Sequence, residues 1–80
     1  MAKRDKLIAR IRARPPEASF DDVMLLLLEF GWEMRGQQGS HCVFVKPGEY
    51  PITVPLLKGR KVKRRYLDVI CERLGLDDEP

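Results

Sequence analysis

Gly39, Ser40 and His41 follow one another where a glycine-rich polar stretch gives way to an alternating apolar one. A glycine there lets the backbone turn and approach a ligand closely. The serine hydroxyl both donates and accepts hydrogen bonds, and histidine is the side chain whose ordinary pKa lies near neutrality. These are parts suited to phosphodiester chemistry, and His41 is the single histidine of the chain. The same three residues could simply turn a hairpin, with His41 an ordinary polar strand residue.

If His41 acts as a general base, RNA is the natural substrate. Removing the proton of a ribose 2′-hydroxyl lets that oxygen attack its own phosphate, and the step needs no metal and no cofactor. DNA lacks the hydroxyl. The leaving 5′-oxygen still requires a proton and the phosphate a cation, so one histidine is not a complete site. Lys58, Arg60, Lys61, Lys63, Arg64 and Arg65 are the candidates for binding the phosphates. Tyr50 or Tyr66 is the candidate acid or base-stacking surface, though either would also serve in packing. No acidic cluster suggests a two-metal nuclease: Asp21 and Asp22 open a helix, where adjacent side chains do not face one another.

Charge placement supports a polyanionic partner. The net charge is only +3, yet twelve of the fifteen basic residues fall in two segments, 3–14 and 58–65. The acids gather at 17–33 and 68–79, so the surface is polarised and attracts phosphate backbones. An acidic partner protein would be drawn by the same field.

The elements that must position these residues follow from periodicity. Leu7, Ile8 and Ile11 recur at helical spacing within Lys3–Arg14, and Pro15 and Pro16 end that helix. Ser19 and Asp22 form a capping pattern before Val23, Leu26, Leu27 and Phe30, predicting a core helix over 20–30 that Gly31 stops. Trp32–Arg35 alternates as a strand, residues 36–40 form a polar turn, His41–Lys46 is a second strand and Tyr50–Val54 a third. Pro51 suits an edge strand or a strand start. From about Val62, Tyr66, Leu67, Ile70, Cys71 and Leu74 trace a last helix, which Gly75 stops, and Asp77–Pro80 reads as a frayed tail. The expected fold is α+β: a two-layer sandwich in which a three-stranded antiparallel sheet carries helices on one face. Strand parity places His41, Val43 and Val45 on one side and Cys42, Phe44 and Lys46 on the other. Whether His41 lies on the open face depends on which of those sets meets the helices.

Eighty residues support one small core, hence a single domain over 1–80, of which 1–16 is a basic helical extension. A Rossmann fold, a TIM barrel and a large enclosed cavity are excluded by size. The longest apolar run, Val23–Leu28, falls far short of the roughly 20 residues that span a bilayer. With no signal-like N-terminus, the expected location is the cytoplasm, with no membrane partner. Cys42 and Cys71 fit neither a disulfide framework nor a zinc spacing and read as reduced, structural thiols.

Several of these stretches together resemble the HicA family of toxins: S-F-D-D-V at Ser19–Val23, L-x-x-x-G-W at Leu27–Trp32, G-S-H-x-x-F at Gly39–Phe44, I-x-V-P at Ile52–Pro55 and the basic segment before the last helix. The resemblance runs from Ser19 to Leu76. It implies a fold like a double-stranded-RNA-binding domain, α-β-β-β-α, here with an extra N-terminal helix. It also implies a small ribonuclease of a toxin–antitoxin pair, an mRNA interferase with His41 as its catalytic residue, neutralised by a HicB-like antitoxin. Gly39, Ser40 and the six cations of 58–65 would then contact RNA. Leu57 stands where many relatives carry a second histidine, and Arg64, Arg65 and Tyr66 replace a small Gly-Thr start to the last helix. A non-catalytic RNA-binding module of the same fold, or an adaptor for an acidic protein, are the alternatives.

Overall fold

The computed structural model describes residues 3–77. Helix α1 (Lys3–Arg12) buries Leu7 and Ile11, one turn apart, and leaves its charges outside. The chain then leaves helical geometry at Arg14, whose φ is +50°, ahead of the two prolines. Strand β1 (Glu17–Ser19) leads directly into α2 (Phe20–Glu29), the apolar core helix, with Phe20, Val23, Leu26 and Leu27 buried. Asp21 and Asp22 occupy its first turn, where carboxylates suit the positive end of the helix dipole. The Ser19 side chain makes no capping hydrogen bond. Ser19 is instead a β1 residue opposite Lys61, and the Phe20 amide donates to the Arg60 carbonyl at 3.0 Å.

Strands β2 (Glu33–Gln38), β3 (His41–Val45) and β4 (Ile52–Pro55) form an antiparallel meander in the order β2-β3-β4. β2 extends to Gln38 through what reads in the sequence as a turn, with its register shifting between Met34 and Gly36. A fully exposed edge strand needs no apolar alternation, so its polar residues hid it. Tyr50 and Pro51 lie ahead of β4 rather than within it.

A second ribbon has no counterpart in the sequence reading. Strand β5 (Lys61–Lys63) pairs antiparallel with β1, setting Ala18 opposite Val62, and both of these side chains are buried. Helix α3 (Arg64–Leu74) therefore begins two residues later than its periodicity suggests, because Val62 belongs to the ribbon. It ends at Gly75 in the left-handed conformation, φ +70°, with the Leu76 amide donating to the Cys71 carbonyl, the glycine stop expected.

One core joins the inward residues of the meander (Cys42, Phe44, Ile52, Val54) to those of all three helices and the ribbon. The fold is thus α+β, a three-stranded antiparallel sheet with helices packed on one face, the arrangement expected of a double-stranded-RNA-binding-like domain. Cys42 and Cys71 are free and buried, and burial pushes both thiols above their usual range. Asp77, expected in a frayed tail, instead accepts a hydrogen bond from Arg14. Residues 78–80 of that tail lie outside the described residues.

Candidate active site

A two-residue turn, Gly39–Ser40, joins β2 to β3. Gly39 has φ +58°, a conformation that penalises any residue with a Cβ. The Gln37 side-chain amide donates to its carbonyl at 3.1 Å. The Ser40 carbonyl accepts the Leu56 amide at 2.6 Å, which fastens the turn to the chain leaving β4.

His41 is the first residue of the central strand, flanked in register by Gln38 of β2 and Pro55 of β4. Cys42 and Phe44 are fully buried, and Phe44 meets Phe20 of α2 with ring centroids 6.2 Å apart. The helices therefore claim that side of β3, and the alternation turns His41, Val43 and Val45 to the open face. His41 is exposed there. It shares a shallow depression of about 430 Å³ with Val43 and with Arg35, Gly36, Gln37 and Gln38 of β2. Those four β2 residues were not among the sequence candidates; extending β2 until Gln38 stands opposite His41 would have found them.

The basic segment divides into two groups. Residues 56–60 form a tight loop: the Leu57 amide donates to the Lys61 carbonyl at 2.7 Å and the Arg60 amide to the Leu57 carbonyl at 3.0 Å. The bond from the Leu56 amide to Ser40 sets the start of this loop beside the end of the sheet that holds His41, while the Arg60 guanidinium turns to the helix layer, over the Phe20 ring and against Asp21, and none of Lys58, Arg60 and Lys61 lines the His41 depression. Lys63 ends β5 and Arg64 and Arg65 begin α3, the three lying around a separate depression of about 630 Å³ shared with Pro16 and Glu17. With no acid in the first turn of α3, these cations add to the positive end of the helix dipole, an arrangement that strengthens the field offered to anions. Arg64 has a structural duty as well, its Nε donating to the Arg14 carbonyl at 2.9 Å. The Arg65 guanidinium lies over the Tyr66 ring, 5.4 Å from its centre.

Neither tyrosine borders the His41 depression. Tyr50 sits in the loop at the far end of β3, 84% exposed, about 13 Å or more from His41 by the rise of the strand. That distance sets it too far away to be the acid for a phosphate held at His41. Tyr66 packs half-buried against the core from the first turn of α3. Leu57 is half-buried and closes the 56–60 loop through its backbone.

Among the described residues no three His, Cys, Asp or Glu side chains converge as a metal ion would require, and no helix is long and apolar enough to cross a membrane. Comparison with curated proteins and with solved structures returns no match. A family model described as the HicA toxin of bacterial toxin–antitoxin systems matches residues 20–76. That stretch runs from the first residue of α2 to the end of the α3 cap and contains the Gly39–His41 turn and the whole basic segment; α1 and β1 precede it. Well over half of the chain is covered, and the chain belongs to the HicA family of toxins of bacterial toxin–antitoxin systems.

Proposed function

We propose that this toxin is a metal-independent endoribonuclease that cleaves mRNA with His41 as general base. The observation that carries the reading is the placement of the only histidine on the open sheet face, beside a glycine turn and next to a cation-bearing loop. His41 accepts the proton of a 2′-hydroxyl, the 2′-oxygen bonds to the adjacent phosphorus, and the bond from phosphorus to the 5′-oxygen breaks. The leaving oxygen takes up a proton, leaving a 2′,3′-cyclic phosphate and a free 5′-hydroxyl. Gly39 and Ser40 approach the backbone of the RNA, and Lys58, Arg60, Lys61, Lys63, Arg64 and Arg65 bind its phosphates. Such contacts read charge and shape rather than base sequence, giving low selectivity and steep salt dependence.

A nuclease of this kind must be silenced, and family membership implies a cognate antitoxin. A HicB-like partner that covers the open face and sets acidic groups against 58–65 would block both His41 and the phosphate path. The cytoplasm, where mRNA is found, is the compartment this activity requires.

A second reading, a non-catalytic RNA-binding module, is favoured by one observation: an apolar residue, Leu57, stands where a second histidine would supply another titrating group. Incubating the purified chain with RNA in excess chelator, wild type beside His41→Ala, separates the two. Degradation by wild type alone supports the nuclease. Binding without degradation by either supports the module.

A further inference from the structure

The sheet edge beside His41 is irregular. Met34 stands opposite Phe44 and Gly36 opposite Val43, so Arg35 is an extra residue of β2 with no partner of its own on β3. Such bulges are frequent beside active sites, where they re-aim a side chain. Glu33 faces Val45 on the open side of the sheet, and alternation carries Arg35 to that same side. The bulge then resets the count, so that Gly36 and Gln38 oppose the open-face residues Val43 and His41. Arg35 and Gly36 both border the His41 depression.

Each of the two residues has a feature that the fold does not explain. Arg35 is exposed, and its guanidinium has no ion pair, hydrogen bond or ring contact among the described residues, whereas every other arginine has a partner. Its five donors are free. Gly36 has a φ outside the left-handed region, and a Cβ at this position would meet no protein atom within 4 Å. A glycine weakens a strand interior, and where neither backbone nor packing requires it, close approach of a ligand is the remaining reason for it. Gly36 is also diagonal to His41 across the ladder, which puts their Cα atoms about 7–8 Å apart, a gap that long side chains span.

We infer that the Arg35–Gly36 bulge seats the scissile phosphate beside His41: the phosphate rests over Gly36, and the Arg35 guanidinium contacts it and stabilises the extra negative charge of the pentacoordinate transition state. The inference rests on the nuclease reading and supplies, on the face that holds His41, the cation that a lone histidine lacks. The cations of 58–65, none of which borders this depression, then hold the RNA backbone to either side.

The test uses Arg35→Ala, Arg35→Lys, Gly36→Val and, as a control for lost charge, Arg10→Ala, all in the full chain. Cleavage of a short RNA gives kcat and KM, affinity for the same sequence with 2′-O-methyl riboses reports binding alone, and circular dichroism follows melting. Arg35→Ala is expected to melt with wild type while kcat falls on the order of 10²-fold, with a smaller loss of affinity for the methylated RNA. Arg35→Lys keeps the charge but not the planar fork, and is expected to stay about tenfold below wild type in kcat. Gly36→Val has open space for its side chain, so it is expected to fold and to raise KM by filling the seat. Arg10→Ala is expected to cleave as wild type does. Wild-type kcat in Arg35→Ala, an equal loss in Arg10→Ala, or wild-type KM in a folded Gly36→Val would each overturn the inference while the nuclease reading stands. If Arg35→Ala loses kcat but His41→Ala does not, the role of His41 falls and that of Arg35 remains. A wild-type chain that binds RNA without cleaving it would end both.

Discussion

Two regions of this small protein are built on opposite principles. At the corner where residues 12–17 meet α3, polar groups are answered from within the chain. Arg14 binds Asp68 and Asp77, its carbonyl takes a bond from Arg64, the Arg64 amide donates to the Pro16 carbonyl, and the Cys71 thiol donates to the Ile11 carbonyl at 3.9 Å. The two carboxylates hold the Arg14 guanidinium well above its ordinary pKa, Asp77 contributing most. At the end of the sheet where 39–41 meets 56–61, the backbone is closed just as tightly, but among the described residues the side chains of Ser40, His41, Lys58 and Lys61 have no protein partner. The first region closes the fold, and the second keeps polar groups available. Residues 12–17 of the corner precede the family-matched stretch, while α3 on its other side and the open end lie inside it.

The largest effect that would sharpen this contrast is at His41. His41→Ala is expected to lower RNA cleavage by about 10²- to 10⁴-fold while its melting curve overlays that of wild type, since the side chain is exposed and unbonded. A large drop in melting temperature would move His41 from the site to the fold and break the comparison.

Ile11→Ala is expected to do the reverse. Ile11 is fully buried between the helices, and its truncation should cost about 2–5 kcal/mol of stability. Denaturant titration measures that loss, and cleavage per folded molecule should be unchanged. An Ile11→Ala chain of full stability would mean that α1 is an appendage rather than part of the core.

Salt separates the regions more gently. RNA affinity should fall linearly on a log–log plot against salt, and each of Lys58→Ala and Lys61→Ala should flatten the slope by roughly 0.7 for a single strand. Arg10→Ala should leave the slope alone, because Arg10 lies on α1, away from the 56–61 loop and from the open sheet face. Equal slopes for all three variants would show that the RNA path does not follow the 56–61 loop.

The smallest effect is at Arg14. Arg14→Ala should lower the melting temperature measurably, without altering kcat, because it releases Asp68, Asp77 and the anchor for Arg64 together. The part of that loss due to ion pairs should shrink as salt rises.

Much of the architecture was legible from residue order. Apolar spacing located all three helices, Gly31 and Gly75 marked two of their ends, and the meander followed from alternation and turn residues. The ribbon of β1 and β5 was not legible, because three-residue strands with one apolar side chain each carry no period to detect. The polar edge of β2 hid for a related reason. Alternation is visible only where one face is buried, and β2 is exposed throughout.

By itself the sequence determined which chemistry is available: one histidine after a glycine turn, twelve cations in two segments and a chain too short for an enclosed cavity. Only the tertiary structure decided how those parts meet. Period-two alternation separates the faces of β3 but cannot say which is core; the packing of Phe20 on Phe44 settled that and turned His41 outward. Likewise the basic segment reads as one run of charge, yet the bond from Leu56 to Ser40 and the pairing of β5 with β1 divide it, leaving Lys63, Arg64 and Arg65 around a depression of their own. Both decisions depend on long-range contacts, which local periodicity does not encode.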